Sequence, residues 1–215
     1  MSSHRVNLGC GPRIADVRYP KEHKEQARQR LGAGGARLAK QRGFAGAGID
    51  DLAAAAGVTS GSVYKHFGGK SELLAAIIEA ELARSAALFS AVPPGDPARL
   101  DAVLAAYLSP AHVAHPESGC PLPSLSADVA RADPDVREAF ERGLLAVHKA
   151  LKRHAGSADA AWALIAQSVG AVMLARAMHG AATGGQVLGA VKRHARSLVR
   201  SPTAPSAAKR ARRPD

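Results

Sequence analysis

"GIDDLAAAAGVTSGSVYKHFGGKSELLAAI", residues 48–77, decides the fold. Ile49, Leu52, Ala53 and Ala56 fall at i, i+3, i+4 and i+7, one apolar stripe of a short helix. Gly57 can take the left-handed conformation that stops it. Thr59 is placed to cap a second helix, "SGSVYKHF", whose Val63 and Phe67 lie four apart on one face. Gly68 and Gly69 break that helix, and Ser71 begins a longer one to about Ser90. Two short helices around a Gly-containing turn follow the helix-turn-helix plan. Ala53 and Gly57, four apart, leave room for the helices to cross closely, while Ile49, Leu52, Val58 and Val63 fill the wedge. The second helix then points its first turn outward: Thr59, Ser60, Gly61 and Ser62. Small hydroxyls at a helix N-terminus suit phosphate oxygens, which also meet backbone donors and the positive dipole end. Tyr64, Lys65 and His66 add longer donors that can reach base edges, while phosphate contacts fix the register.

Composition agrees with that reading. Of 215 residues, 47% are apolar and only 4% aromatic, so the core must be Ala, Leu and Val, which suits packed helices rather than a β-sandwich. The formal charge is +11, of which +6 falls in residues 1–74, +2 in 75–200 and +3 in 201–215. Such a distribution fits a polyanion-binding unit joined to a near-neutral domain. Apolar stretches are interrupted by Gly, Arg, Gln or Glu before the ~18 residues of a membrane span, and the N-terminus lacks the apolar core of a signal peptide. Cys10 and Cys120 are too few for a disulfide framework, so a reducing cytoplasm is expected. No nucleophile-elbow, Walker, dinucleotide-binding or zinc-protease motif is present, and the nine histidines are scattered. Neither an enzyme nor a cofactor is expected.

Residues 1–19 lack periodicity and are expected to be disordered. A helix reads from Pro20 to about Arg42, with Ala27, Leu31, Gly35 and Leu38 on its buried face. "VPPGDP" at 92–97 interrupts the chain. A helix then runs from about Ala98 to His112, followed by a Pro-rich loop and a short helix near Leu125–Arg131. Asp133 as N-cap, Pro134 at the first helical position and Gly156 past the end bracket the next helix. Ser157 can cap another to about Ala182, and Gly184-Gly185 separates it from a last helix to about Arg200. The expectation is an all-α fold of about nine helices. A helix-turn-helix head spans 20–74, a helical body 75–200, and a disordered basic tail 201–215.

Residues 48–77 closely resemble the DNA-binding segment of the tetracycline-repressor (TetR) family. The pattern I-x-x-[IL]-A-x-x-A-G-V-[ST]-x-G-x-[LV]-Y-x-[HY]-F-x-x-K-x-x-L-L is matched at nearly every specified position. The resemblance is strong over roughly 20–78 and architectural beyond. It implies a homodimeric repressor with a three-helix head on a palindromic operator in double-stranded DNA, released by a small molecule that binds the body. Thr59, Ser62, Tyr64, Lys65, His66 and Lys70 match the family's DNA-facing positions, and Phe67 a packing position. Ala47-Gly48 stands where a capping Thr is usual, and Gly69 where Ser is. Gly32, Gly34, Gly35 and Ala39 replace apolar or Ala residues in the first helix, and each interior Gly costs roughly 1 kcal/mol against Ala. A loosely packed first helix is therefore expected.

In the body, helix 157–182 carries two apolar stripes. One is Trp162, Ile165, Val169, Val172 and Met173; the other is Leu164, Ala171, Leu174 and Met178. A surface helix needs one stripe, so the second, with Val187, Val191 and Leu198 of the last helix, is assigned to a four-helix dimer interface. Candidate pocket walls are Phe89, Tyr107, Leu108, Cys120, Leu122, Leu125, Phe140, Leu144, Val147, Trp162 and Met173. His112 and His115, one turn apart with Glu117 and Cys120 behind, are residue types that bind zinc, and Cys120 alone could serve as a thiol sensor. A small buried hydrophobe is the plainer role for that cysteine. A basic protein that coats nucleic acid, using the tail "KRARR", is the competing class. It would lose the specific-to-nonspecific ratio that a sequence reader keeps as salt rises.

Overall fold

The spacing of small and apolar residues closes the head first. In the computed structural model, which describes residues 21–200, helix α1 (Lys21–Arg42) buries Leu31, Ala36 and Ala39 against α2 (Ile49–Ala55) and α3 (Ser60–Phe67). The expected tails at 1–19 and 201–215, and the side chain of Ala27, lie outside the described residues. Leu52, Ala53, Val63 and Phe67 are buried at the α2–α3 crossing, with Ile49 and Val58 packed partly beside them.

The glycines of α1 are not slack, which corrects the expectation of a loose first helix. A Cβ on Gly34 would lie 2.6 Å from both the Ala55 carbonyl oxygen and Ala56 Cα, so its bare backbone lets α1 lie against the end of α2. A Cβ on Gly35 would stand 3.2 Å from Ile77 Cδ1. Gly34 and Gly35 are thus packed by close approach of the backbone itself. Only Gly32 faces open space.

Helix α4 (Lys70–Ser90) runs without a break through the expected domain boundary at 74. Its Leu73, Leu74, Ile77, Ile78 and Leu82 bind the head on one side and α8 (Pro134–Ala155) along the rest. Asp128 of α7 (Leu122–Val129) accepts the backbone N–H groups of Phe44 and Ala45, both at 3.1 Å, and so fixes the loop between α1 and α2. Head and body are one continuous helical packing.

Elsewhere the chain breaks at places other than those expected. Instead of one helix over 98–112 there are two, α5 (Pro97–Tyr107) and α6 (Pro110–Ala114), with a 3-10 turn at Pro116–Ser118. Pro110 cannot sit in a helix interior, and the Ser109 hydroxyl accepts the His112 N–H at 3.2 Å to start the new helix. The described residues therefore hold ten α-helices and no strand. Helix α9 (Ala158–Ala177) is capped by Ser157, whose hydroxyl accepts the Ala160 N–H at 3.0 Å. It ends five residues sooner than expected, and α10 (Ala181–Arg200) carries Gly184 and Gly185 inside it, the former facing Ala175 of α9.

By length and composition α9 could cross a membrane, its mean hydropathy reaching 1.4. One side is nevertheless packed inside the bundle: Ala161, Leu164, Ile165, Ser168, Ala171, Val172 and Ala175. Trp162, Met173 and Leu174 look outward.

Open space at Gly32 and a clash at Gly34 predict opposite outcomes for one substitution. Gly32→Ala should raise stability by about 1 kcal/mol through helix propensity. Gly34→Ala should lower it by roughly 1–3 kcal/mol through overpacking against backbone. Urea unfolding of the two variants checks this, and a shift of the same sign in both would refute it.

Candidate nucleic-acid interface and internal cavity

Helix α3 is presented by the turn before it. Gly57 takes a left-handed φ of 68°, and Thr59 is the N-cap with extended backbone but no side-chain capping bond. Tyr64 is 58% exposed although Val63 and Phe67 on either side of it are buried, so the ring stands out from the fold. Thr59 and Lys65 are exposed, and Ser62 and His66 half-buried. At the far end, Arg28 of α1 donates to the His66 carbonyl at 3.2 Å and lies over the Phe67 ring at 4.8 Å. The recognition helix is therefore held from behind while its outer side stays clear.

Two of the expected contact residues also bond within the head. The Ser60 hydroxyl donates to the Asp50 carboxylate and ties α3 to α2. Lys70 donates to the Ala45 carbonyl at 3.3 Å, with its ammonium 5.2 Å from the centre of the Phe44 ring. Both tie the reader to the rest of the head. Gly48 caps α2 without a side chain, and Asp51 reaches back to accept its N–H at 3.1 Å. The Asp51 carboxylate thus satisfies the N–H of the cap residue, while no side chain caps the first turn of α2.

Behind the head lies a feature the sequence hid. Lys40, near the end of α1, is buried, and its ammonium donates to Glu81 of α4 at 2.7 Å and to the Gly119 carbonyl at 2.9 Å. Glu81 also accepts from Arg84, which is largely exposed. Gly119 belongs to the wall of a cavity of about 730 Å³, open to the surface on one side and lined from α4, α5, α6, α7, α8 and α9. One buried ion pair therefore joins the DNA-facing unit to the lining of an internal space.

Of the expected wall residues, Phe89, Tyr107, Cys120, Leu122 and Val147 line this cavity. The others do not. Leu125 is fully buried in the main core, with Phe140 and Leu144 packed against it. Leu108 belongs to a small separate cluster with Ala171, Val172 and Leu188. Trp162 is 37% exposed and stacks on His148 at 4.1 Å, and Met173 is 42% exposed. The dimer stripe also moves. Leu164 and Ala171 are buried within the protomer, and Val187 and Val191 pack partly on the small cluster. Leu174 is exposed, while Met178 and Leu198 are half-buried.

The histidine and cysteine cluster forms a hydrogen-bonded brace, and among the described residues no three ligands converge for a metal ion. His112 Nδ1 donates to the Tyr107 carbonyl at 2.7 Å, and Nε2 accepts the Cys120 N–H at 3.2 Å, so both nitrogens of a neutral ring are used. Gly119 is needed for this approach, since a Cβ there would fall 2.3 Å from His112 Nε2. His115 turns away to Glu117 at 3.2 Å. Burial, followed by the nearby Arg176 and Lys40 charges, holds the His112 pKa below its ordinary value against the raising effect of the Tyr107 carbonyl. Burial pushes the Cys120 thiol up, which leaves it protonated and a poor nucleophile at neutral pH. Arg176 of α9 completes the brace, donating to the Val113 and His112 carbonyls at 3.3 and 2.9 Å and to the Ser124 hydroxyl at 2.9 Å.

A three-helix head with an exposed polar recognition helix, continuous with a helical body around a cavity, is the build of a DNA-binding regulator. The sequence profile described as "Bacterial regulatory proteins, tetR family" matches residues 33–77. That described as "Tetracyclin repressor-like, C-terminal domain" matches residues 97–205. The chain belongs to the TetR family of DNA-binding transcriptional regulators. Among solved structures, E. coli NemR in its reduced form is 26% identical, with a TM-score of 0.66 over 83% of this chain and 99% of that one. A TetR-family regulator from Agrobacterium tumefaciens is 20% identical, with a TM-score of 0.64 over 83% and 100%. A transcriptional regulator from Rhodococcus sp. Rha1 is 25% identical, with a TM-score of 0.62 over 80% and 95%. No curated protein matches the chain.

The lowered His112 pKa fixes the sign of a pH effect. Protonating Nε2 forfeits the Cys120 bond, so stability carried by the neutral ring is complete above about pH 6.5, the ordinary imidazole value, and is lost as pH falls through the lower folded value. The urea midpoint of the wild type should therefore fall more steeply below about pH 6.5 than that of His112→Gln. Parallel midpoints for the two proteins would refute the assignment.

Proposed function

We propose that the chain is a homodimeric repressor that leaves a palindromic operator in double-stranded DNA when a small molecule fills the cavity. Lys40 carries this reading, because it bonds the first helix of the head to a residue of the cavity wall with nothing between them. A ligand that shifts Gly119 or Glu81 changes the partners of a buried charge, and so biases the position of α1 and the helices packed on it. Thr59, Ser62, Tyr64, Lys65 and His66 are the surface that meets DNA, in the cytoplasm where the DNA is, and no catalytic role is assigned.

Dimerisation follows from the outward side of α9. Trp162, Met173 and Leu174 are 37%, 42% and 54% exposed on a helix whose other side is core, and a two-fold partner would cover them. Two heads related by that axis would read half-sites a helical turn or more apart.

Two measurements test the reading. Tyr64→Phe and Lys65→Ala should weaken binding to an operator selected from random DNA without lowering the unfolding midpoint, each loss being about 1–3 kcal/mol for a base contact. Lys65→Ala should instead reduce the salt slope by about one if its contact is to phosphate. Wild-type affinity and slope in both variants would sink the assignment of α3 as reader.

The coupling has its own test. Glu81→Ala alone strands a buried ammonium and should destabilise by roughly 3–5 kcal/mol, whereas Lys40→Met with Glu81→Leu should stay near wild-type stability. That double variant should still bind operator yet respond weakly to a cavity ligand. Undiminished release in a stable double variant would exclude Lys40 as the link.

A further inference from the structure

The wall of the cavity is apolar over most of its area, with Leu88, Phe89, Leu104, Leu122, Val147 and Leu164 among its residues. Two wall residues carry polar groups just behind that surface. The Tyr107 hydroxyl and the Ser168 hydroxyl are both buried, and neither has a hydrogen-bond partner among the described residues. Tyr107 Oη lies beside the Cys120 thiol without forming a sound hydrogen bond to it. Buried hydroxyls are normally satisfied, because an unmade hydrogen bond away from water carries its full desolvation penalty. Two such groups on one cavity wall are what a ligand site looks like before its ligand arrives.

The charges around the cavity narrow the choice. Among the described residues that form the wall there is no Asp or Glu, so a buried cation would find no counter-charge. The basic wall residues do not offer a fixed charge inside. Arg84 is largely exposed and paired with Glu81, and Arg99 is exposed. His112 uses both ring nitrogens and is neutral, and His115 turns out to Glu117. Burial raises the Tyr107 hydroxyl well above the usual phenol range, so it remains a donor at every physiological pH.

We infer that the cavity takes an uncharged, mainly hydrocarbon molecule that carries one or two carbonyl oxygens as acceptors for Tyr107 and Ser168. The inference rests on the effector-cavity reading above. Its size fits: about 730 Å³ lies within the roughly 300–1,000 Å³ of sites for drug-sized ligands. Neither hydroxyl has water-accessible surface in the empty protein, so its hydrogen bond stays unmade until a ligand at the wall displaces a neighbouring group and supplies an acceptor. A pure hydrocarbon cannot do so, and a ketone, ester or lactone can.

A matched set of probes tests this on the full chain by fluorescence or calorimetry, without DNA: naphthalene, 2-acetonaphthone, 2-naphthoate and 2-naphthylmethylammonium. The ketone should bind tightest. In Tyr107→Phe/Ser168→Ala its affinity should fall about tenfold, to that of naphthalene, while naphthalene itself binds as well or better. That variant should be no less stable than wild type when empty, because it removes groups that had no partner. Tightest binding of the carboxylate or the ammonium, or equal ketone affinity in wild type and variant, would overturn the inference. So would a failure of all four probes to bind, which would also remove the cavity as a ligand site. Ketone binding without release of operator DNA would leave the ligand chemistry standing and sink only the effector-release reading.

Discussion

A single buried ammonium sets the terms on which this protein holds together. Lys40 lies where α1, α4 and the turn before α7 converge, and among the described residues its compensation is the Glu81 carboxylate and the Gly119 carbonyl. A charge taken from water and left unpaired is far more costly than a lost apolar contact, so the three segments cannot separate independently. Asp128 reinforces the junction from the other side by accepting two backbone N–H groups of the α1–α2 loop. The head is thus not a bead on a linker. Its orientation is part of the same packing problem as the cavity wall.

The head was largely legible because its instructions are local. The stripe of Ile49, Leu52, Ala53 and Ala56, the stop at Gly57 and the pair Val63 and Phe67 each depend on residues within one or two turns. Most of what was misread depends on partners distant in sequence. Gly34 looks like a weak helix residue until Ala55 and Ala56 are placed against it. Lys40 looks like an ordinary solvent charge, and its one sign was a spacing of four from Ala36, which put it on the buried stripe. The bond from Ser60 to Asp50 is equally hidden, because nothing near Ser60 marks Asp50 as its partner. Pro110 is different: it is a local signal for a helix break, legible from the residue alone.

Helix α9 shows a second limit. Apolar residues lie all round it, so periodicity cannot say which stripe faces the core. The choice between Leu164 and Trp162 for the inside is made by the volumes of α8 and α10, which the sequence of α9 does not contain. The cavity is subject to the same limit. Its wall draws on six helices, and residues such as Leu125 and Phe140 belong instead to ordinary core.

The two sides of α9 have a consequence for how two protomers would speak to each other. Leu164, Ile165 and Ser168 look into the cavity, while Trp162, Met173 and Leu174 on the same rod look out. Arg176 anchors the far end of that rod to α6 and α7. In a two-fold assembly through the outward side, a displacement of α9 by a ligand in one protomer presses directly on its counterpart. Occupancy would then be cooperative between the two cavities, with the sign set by whether the shared helix contact tightens or loosens.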